Sequence, residues 1–184
     1  MRIRPIESPR NPFVRLMYRA MTRQFGKAIT PMKVIFARLP RTAAAQIGIY
    51  WGLMGKSHLE PALQILLQHH VARVNGCGFC VDIGRAVATY QGLSLEKLDA
   101  VENWRASTLF SPAERAALAY VEEATRNKRV DEPTFERLRQ HFNEREIVEI
   151  TWLNALENYY NLINLPLEIE SDGLCAIAER RRAA

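Results

Sequence analysis

Three cysteines in 184 residues are too few, and odd in number, to form the disulfide framework of a small secreted domain. No apolar run approaches the roughly 18–20 residues that a bilayer-spanning helix needs. Arg, Gln or His interrupts the longest of them. No secretory pattern opens the chain, because Arg2, Arg4 and Arg10 alternate with Pro and Glu before any hydrophobic stretch. Strand-type alternation is almost absent. So are a Gly-rich phosphate loop, a Ser-His-Asp set, an EF-hand and a nucleotide fingerprint. Together these absences argue against a membrane-spanning, disulfide-stapled or nucleotide-binding protein. The expected location is cytoplasmic, where thiols stay reduced.

What is present suits one compact domain. Hydrophobic residues make up 48% of the chain and charged residues 24%, enough to exclude disorder and to build a core. The net charge of +5 and pI near 9.3 invite a nucleic-acid reading, but the charge is unevenly placed. Residues 1–41 carry ten Lys and Arg against the single acid Glu7, whereas residues 42–184 carry 15 bases and 19 acids. The chain therefore divides into a basic helical arm, residues 1–29, and an all-helical domain, residues 30–184. In the arm, Phe13, Met17, Met21 and Phe25 form an apolar stripe beside Arg15, Arg19 and Arg23. Such a stripe needs burial against the chain's own body or a neighbouring subunit, with the arginines complementing the acidic body. The arm holds no base-reading motif, so neither nucleic acid nor a membrane is expected as a partner.

Helix signals punctuate the rest. Asn11-Pro12 and Thr30-Pro31 read as starts, and Pro40 ends the short second helix. A helix over about 41–54 follows. Ser57 to Glu60 has capping-box spacing, and the helix after it should end near Asn75-Gly76. A helix through Tyr90 opens at the cysteine pair. Ser94 caps a short helix to about Trp104, and Ser111-Pro112-Ala113-Glu114 is the strongest start in the chain. Helices over about 131–142, 144–163 and from Ser171-Asp172 complete an all-α bundle.

The chemistry concentrates at Cys77-Gly78-Phe79-Cys80. A C-x-x-C at a helix start is placed so that free N–H groups and the positive end of the helix stabilise a thiolate. Two intervening residues let the sulfurs meet as a disulfide, one thiolate attacking and its neighbour resolving. The motif alone leaves redox chemistry, a structural metal and two inert cysteines all open.

The order helix, Asn75-Gly76, Cys77-Gly78-Phe79-Cys80, helix resembles the AhpD-like alkylhydroperoxidase branch of the carboxymuconolactone decarboxylase family. Residues 110–118, 146–149, 154–161 and 171–175 resemble further segments of it, so the likeness spans about residues 30–176. The resemblance implies an AhpD-like helical bundle, homo-oligomers (dimer, trimer or hexamer) and thiol-dependent reduction of a hydroperoxide by a dithiol, protein or small molecule. No flavin or nicotinamide site is visible, so no cofactor is expected, and no metal. The resemblance makes Cys80 the attacking thiol and Cys77 the resolving one, although the helix start could favour the reverse.

Two positions depart from the family pattern. Gly84 stands where the family has a His four residues after the second cysteine, and Ile65 where it has a Glu twelve before the first. Without that relay, the chain is either an enzyme with another base, a redox-responsive or structural member of the fold, or a lactone decarboxylase-like lyase. His69 lies one helical turn beyond Ile65 on the same face and is the first substitute; its alternative is a buried histidine bonded to backbone, as for His70. Asp82 reads as a cap or a solvent-facing carboxylate. Asn154, Glu157, Asn158, Asn161 and Asn164 recur at three and four spacing, opposite Ile147, Ile150, Leu156 and Ile163. They read as a solvated face or as a hydrogen-bonded lining near the cysteines, with Glu157 its candidate acid–base group. Cys175 reads as a small apolar residue, a third redox thiol or, with Cys77, Cys80 and His69, a zinc ligand. Trp51, Trp104, Trp152, Tyr159 and Tyr160 read as core or interface.

Overall fold

A computed structural model describes residues 1–54 and 57–183. These form nine α-helices and no strand among the described residues: α1 (Pro12–Phe25), α2 (Pro40–Met54), α3 (Pro61–Asn75), α4 (Gly78–Tyr90), α5 (Glu96–Ala100), α6 (Pro112–Asn127), α7 (Glu132–Arg139), α8 (Glu144–Asn164) and α9 (Leu174–Ala183). None of the described helices is long and apolar enough to cross a membrane.

Local chemistry sets most boundaries. Asn11 accepts the amides of Phe13 and Val14, and Pro12 fills the first helical position, so α1 starts where its cap does. Capping boxes at Ser111/Glu114 and Asn143/Glu146 open α6 and α8. Gly76, at φ 72°, closes α3 in the left-handed conformation that glycine adopts without strain.

Four local readings are corrected. Ser57 to Glu60 is not a capping box: α3 begins at Pro61, and Ser57 Oγ instead donates to Glu149. The short helix after Pro31 has the wider π geometry over Met32–Phe36. The helix placed after Ser94 breaks into α5 and a 3₁₀ turn at Val101–Asn103. Finally, α9 starts at Leu174 and takes its cap from another helix. Asp82 of α4 accepts the amides of Asp172 and Leu174 on one oxygen and of Cys175 on the other. Asp82 is therefore a cap, and a buried one.

Two apolar clusters result. One fills the space among α3, α6 and α8 with Leu66, Leu67, Val71, Leu118, Val121, Ile150 and Leu153. The other gathers Met17 and Phe25 of α1, Met32, Ala72, Phe79 and Leu174 around Cys77 and Cys80. The arm thus buries its stripe on its own chain, although Phe13 stays exposed. Part of its charge meets the acidic body: Lys27 pairs with Asp172 at 2.9 Å and Arg2 with Glu168 at 2.9 Å. Arg15, Arg19 and Arg23 do not; they are exposed and have no ion pair among the described residues.

Asp82 ties α4 to the start of α9 with three backbone hydrogen bonds, one of them to the buried Leu174. Asp82→Ala is expected to cost about 3 kcal/mol through amides left unpartnered. Urea unfolding followed by circular dichroism measures it.

Candidate functional site

Cys77 is the N-cap of α4, and its Sγ accepts the Cys80 amide at 3.4 Å. One helical turn brings the two Cα atoms to 5.3 Å, and the sulfurs are joined as a disulfide. Both are buried, Cys77 at 0% exposure and Cys80 at 5%. One side of the pair is the apolar cluster just described. The other side is polar and belongs to α8.

α8 turns its asparagines inward. Asn154, Glu157, Asn161 and Asn164 are buried and Asn158 half-buried, so the row is a lining rather than a solvated face. Asn164 Nδ2 donates to Cys80 Sγ at 3.4 Å. Asn161 Nδ2 donates to Glu157 Oε1 at 2.7 Å. Asn75, at the end of α3 and two residues before Cys77, donates to Asn161 Oδ1 at 2.8 Å and to Asn158 Oδ1 at 3.0 Å. Thr125 of α6 closes the row by donating to Asn154 Oδ1 at 2.8 Å. Burial pushes the Glu157 carboxyl up to about 7, against the hydrogen bond from Asn161. At neutral pH it is therefore poised to give or take a proton. Asn75 and Thr125 escaped the sequence reading: the first looks like an ordinary helix-end residue before glycine, and the second lies on no recognisable stripe.

His69 is buried on α3 and leans against α4. A Cβ placed on Gly84 would lie 3.7 Å from His69 Nδ1. Gly84 is one turn beyond Cys80, so the imidazole of α3 sits beside the position where the family pattern carries its histidine. Burial, then Arg73 and Arg85, push its pKa down to about 4, against a pull from the Leu98 backbone. Neither ring nitrogen makes a hydrogen bond of full geometry among the described residues, and the Leu98 backbone is the polar group that acts on the ring. His70 points elsewhere: its Nε2 meets Glu122 at 3.2 Å, where Trp104 Nε1 and Arg105 also donate. Ile65 lies in the apolar core among α3, α6 and α8.

Cys175 is a free, half-buried thiol on α9, with Glu179 Oε1 at 3.6 Å. Burial pushes its pKa up, opposed by Arg85 and reinforced by Glu179. Among the described residues no group of three or more His, Cys, Asp or Glu is placed to hold a metal ion, the set Cys77, Cys80, Cys175 and His69 included. Trp104 is buried, Trp152 and Tyr159 are exposed, and the side chain of Trp51 lies outside the described residues.

Comparison with known proteins gives a consistent picture. The model of the carboxymuconolactone decarboxylase family matches residues 40–123. The uncharacterized protein YnjA of Escherichia coli is 34% identical over 161 residues, which are 86% of this chain and 88% of that one. A protein of unknown function from Agrobacterium tumefaciens, linked by name to the antioxidant defence protein AhpD, superimposes with a TM-score of 0.68 at 28% identity, over 75% of this chain and 96% of its own. The debrominase Bmp8 superimposes with a TM-score of 0.80 at 20% identity, over 95% of each chain, a likeness of fold.

Glu157 sets a test. Its folded pKa of about 7 lies above the ordinary carboxylate value of 4.5. The unfolded chain therefore loses this proton first, and stability falls as pH rises from about 4.5 through 7. Glu157→Gln has no such proton to lose. The variant should match the parent near pH 4.5 and exceed it by ~3 kcal/mol above pH 7, measured by denaturant unfolding across pH.

Proposed function

The chain belongs to the carboxymuconolactone decarboxylase family, and from that footing we propose that it is a thiol-dependent peroxidase cycling Cys77 and Cys80 between dithiol and disulfide. The observation that carries this reading is a disulfide-bonded cysteine pair at the start of α4 with a polar, partly titratable wall beside it. In the first step the Cys80 thiolate attacks a hydroperoxide oxygen. The O–O bond breaks, the alcohol leaves with a proton and Cys80 becomes a sulfenic acid. In the second, Cys77 attacks that sulfur, the disulfide forms and water leaves. One hydroperoxide is reduced by two electrons, and two thiols supply them. An external dithiol, protein or small molecule, returns the pair to the reduced state by exchange. No further cofactor enters this cycle, and neither nucleic acid nor a membrane takes part.

Glu157 has the pKa suited to protonating the departing alkoxide at neutral pH. His69 is neutral there and stands on the α4 face shared by Cys80 and Gly84, available as a proton acceptor. Support for these roles is positional: each group is buried beside the elements that carry the sulfurs, and each replaces a group the family pattern has elsewhere.

Peroxide consumption with a dithiol donor is the direct test. Cys77→Ser and Cys80→Ser should each lose at least ~100-fold, and Glu157→Gln about 10²–10⁴-fold. With Glu157 as the acid, the parent's rate should decline above about pH 7 and the variant's should not. Equal turnover in the parent and both cysteine variants would overturn the reading.

The same helix suggests an assembly. Val148, Trp152, Ala155, Tyr159 and Leu162 lie outward on α8 at alternating four and three spacing, with Val148 63%, Trp152 52% and Leu162 66% exposed. A monomer seldom leaves such a seam in water. We propose that another copy of this chain covers it. Trp152→Glu with Leu162→Glu should lower the mass seen by light scattering to that of a single chain.

A further inference from the structure

The wall of α8 holds one contact with an atom that reacts. Asn164 is the last residue of α8 and is buried. Its backbone carbonyl accepts the Ile169 amide at 3.1 Å, which fixes the end of the helix. Its side-chain amide points at Cys80 Sγ, with Nδ2 at 3.4 Å. A carboxamide taken out of water needs partners, and a neutral disulfide sulfur is a weak acceptor. A thiolate is a much better one, because a hydrogen bond to an ionised acceptor is about twice as strong as a neutral one. The two sulfurs are also served differently. Cys77 Sγ takes a backbone amide of its own helix, the Cys80 N–H, whereas Cys80 Sγ takes a side chain from a different helix. The Cys80 donor can therefore be removed without touching the backbone of α4.

We propose that Asn164 is a positioning residue that holds negative charge on Cys80 Sγ when the pair is reduced. The inference rests on the redox reading of Cys77 and Cys80 and adds to it a residue outside the cysteine motif. In the peroxidase cycle the amide would stabilise the attacking thiolate of the first step. In the return step it would stabilise the same sulfur as it leaves the disulfide. One thiolate of the incoming dithiol bonds Cys77 Sγ as the Cys77–Cys80 bond breaks and Cys80 departs as thiolate under the Asn164 amide; the second thiol then displaces Cys77, so the dithiol becomes the disulfide and has supplied two electrons. No proton moves through Asn164, since an amide donates here without being ionised.

Thiolate absorbance against pH tests this without any peroxide. In a Cys77→Ser background, Cys80 titrates apart from its partner. Replacing Asn164 by Leu should raise the Cys80 midpoint by about one pH unit, and by Asp further, because a carboxylate adds like-charge repulsion. In a Cys80→Ser background the same Asn164→Leu change should leave the Cys77 midpoint within about 0.2 unit. A merely structural Asn164 would move both midpoints or neither, and either result would overturn the proposal. If the Leu variants unfold, Asn164→Gln or Asn164→Ser in the same two backgrounds asks the same question with a smaller change in packing. The two readings fail separately. A shifted Cys80 midpoint with no peroxide turnover would remove the activity and keep the positioning role. Turnover with an unshifted midpoint would do the reverse.

Discussion

A helix that takes a row of asparagines and a glutamate out of water must return a partner to each, and α8 does so for Glu157 with its own Asn161 and for the rest where three other helices end or cross it. Asn75 at the end of α3, Thr125 near the end of α6 and the sulfur of Cys80 on α4 supply those partners. Buried amides cost roughly 1–3 kcal/mol each when unpaired, so the row leaves little freedom in how these helices meet. Leucines would have packed into the same space with fewer geometric demands. The polar row fixes the register of α8 against α3 and brings an amide to a sulfur and a carboxyl group into a dry site. Ile150 and Leu153 still pack into the core beside it, while Val148, Trp152 and Leu162 are left outside.

The second set of constraints lies across the molecule, where two aspartates fasten the chain ends to the middle. Asp82 caps α9 from α4, while Asp172 accepts the Thr30 amide at 2.6 Å and the Thr30 hydroxyl at 2.7 Å, and pairs with Lys27. Each carboxylate bonds backbone groups that a helix or loop start would otherwise leave unsatisfied. α1 therefore lies over the cluster that contains the sulfurs, and Gly26 (φ 84°) lets it approach α9 so closely that a Cβ there would meet Ile177 Cγ2 at 2.8 Å. Roof and floor of the cysteine site are thus held by different means, apolar contact and ion-supported hydrogen bonds above, amide pairing below.

Much of this could be read from the chain. Helix starts written in Asn-Pro and Ser-Pro-x-Glu were legible because capping is a local contract between residues three apart. The cysteine pair was legible because its spacing has a geometric meaning. Asp82 was ambiguous because the amides that donate to it are 90 and more residues away, and no local pattern announces a cap given across the fold. The asparagine row was ambiguous for a related reason. Periodicity tells which residues share a face, but whether that face meets water or another helix depends on a neighbour. Hydrophobic bias places Ile150 and Leu153 of α8 correctly and misplaces Asn161 and Asn164, which are buried as well. His69 was singled out by its turn of helix relative to Ile65, yet its contact with Gly84 exists only once α3 and α4 are folded together.

Cys77 Sγ does two things at once. It is the acceptor that begins α4, and it is one half of the bond that oxidation makes and reduction breaks. A structural account and an electrochemical account of this protein therefore share an atom. Any change that makes the first turn of α4 easier or harder to form in one oxidation state than in the other must appear as a shift in midpoint potential, about 30 mV for every 1.4 kcal/mol. Conversely, on the proposed redox reading, a dithiol that sets the oxidation state of the pair also sets how firmly that helix begins. For this chain the strength of a helix start is a quantity measurable with an electrode.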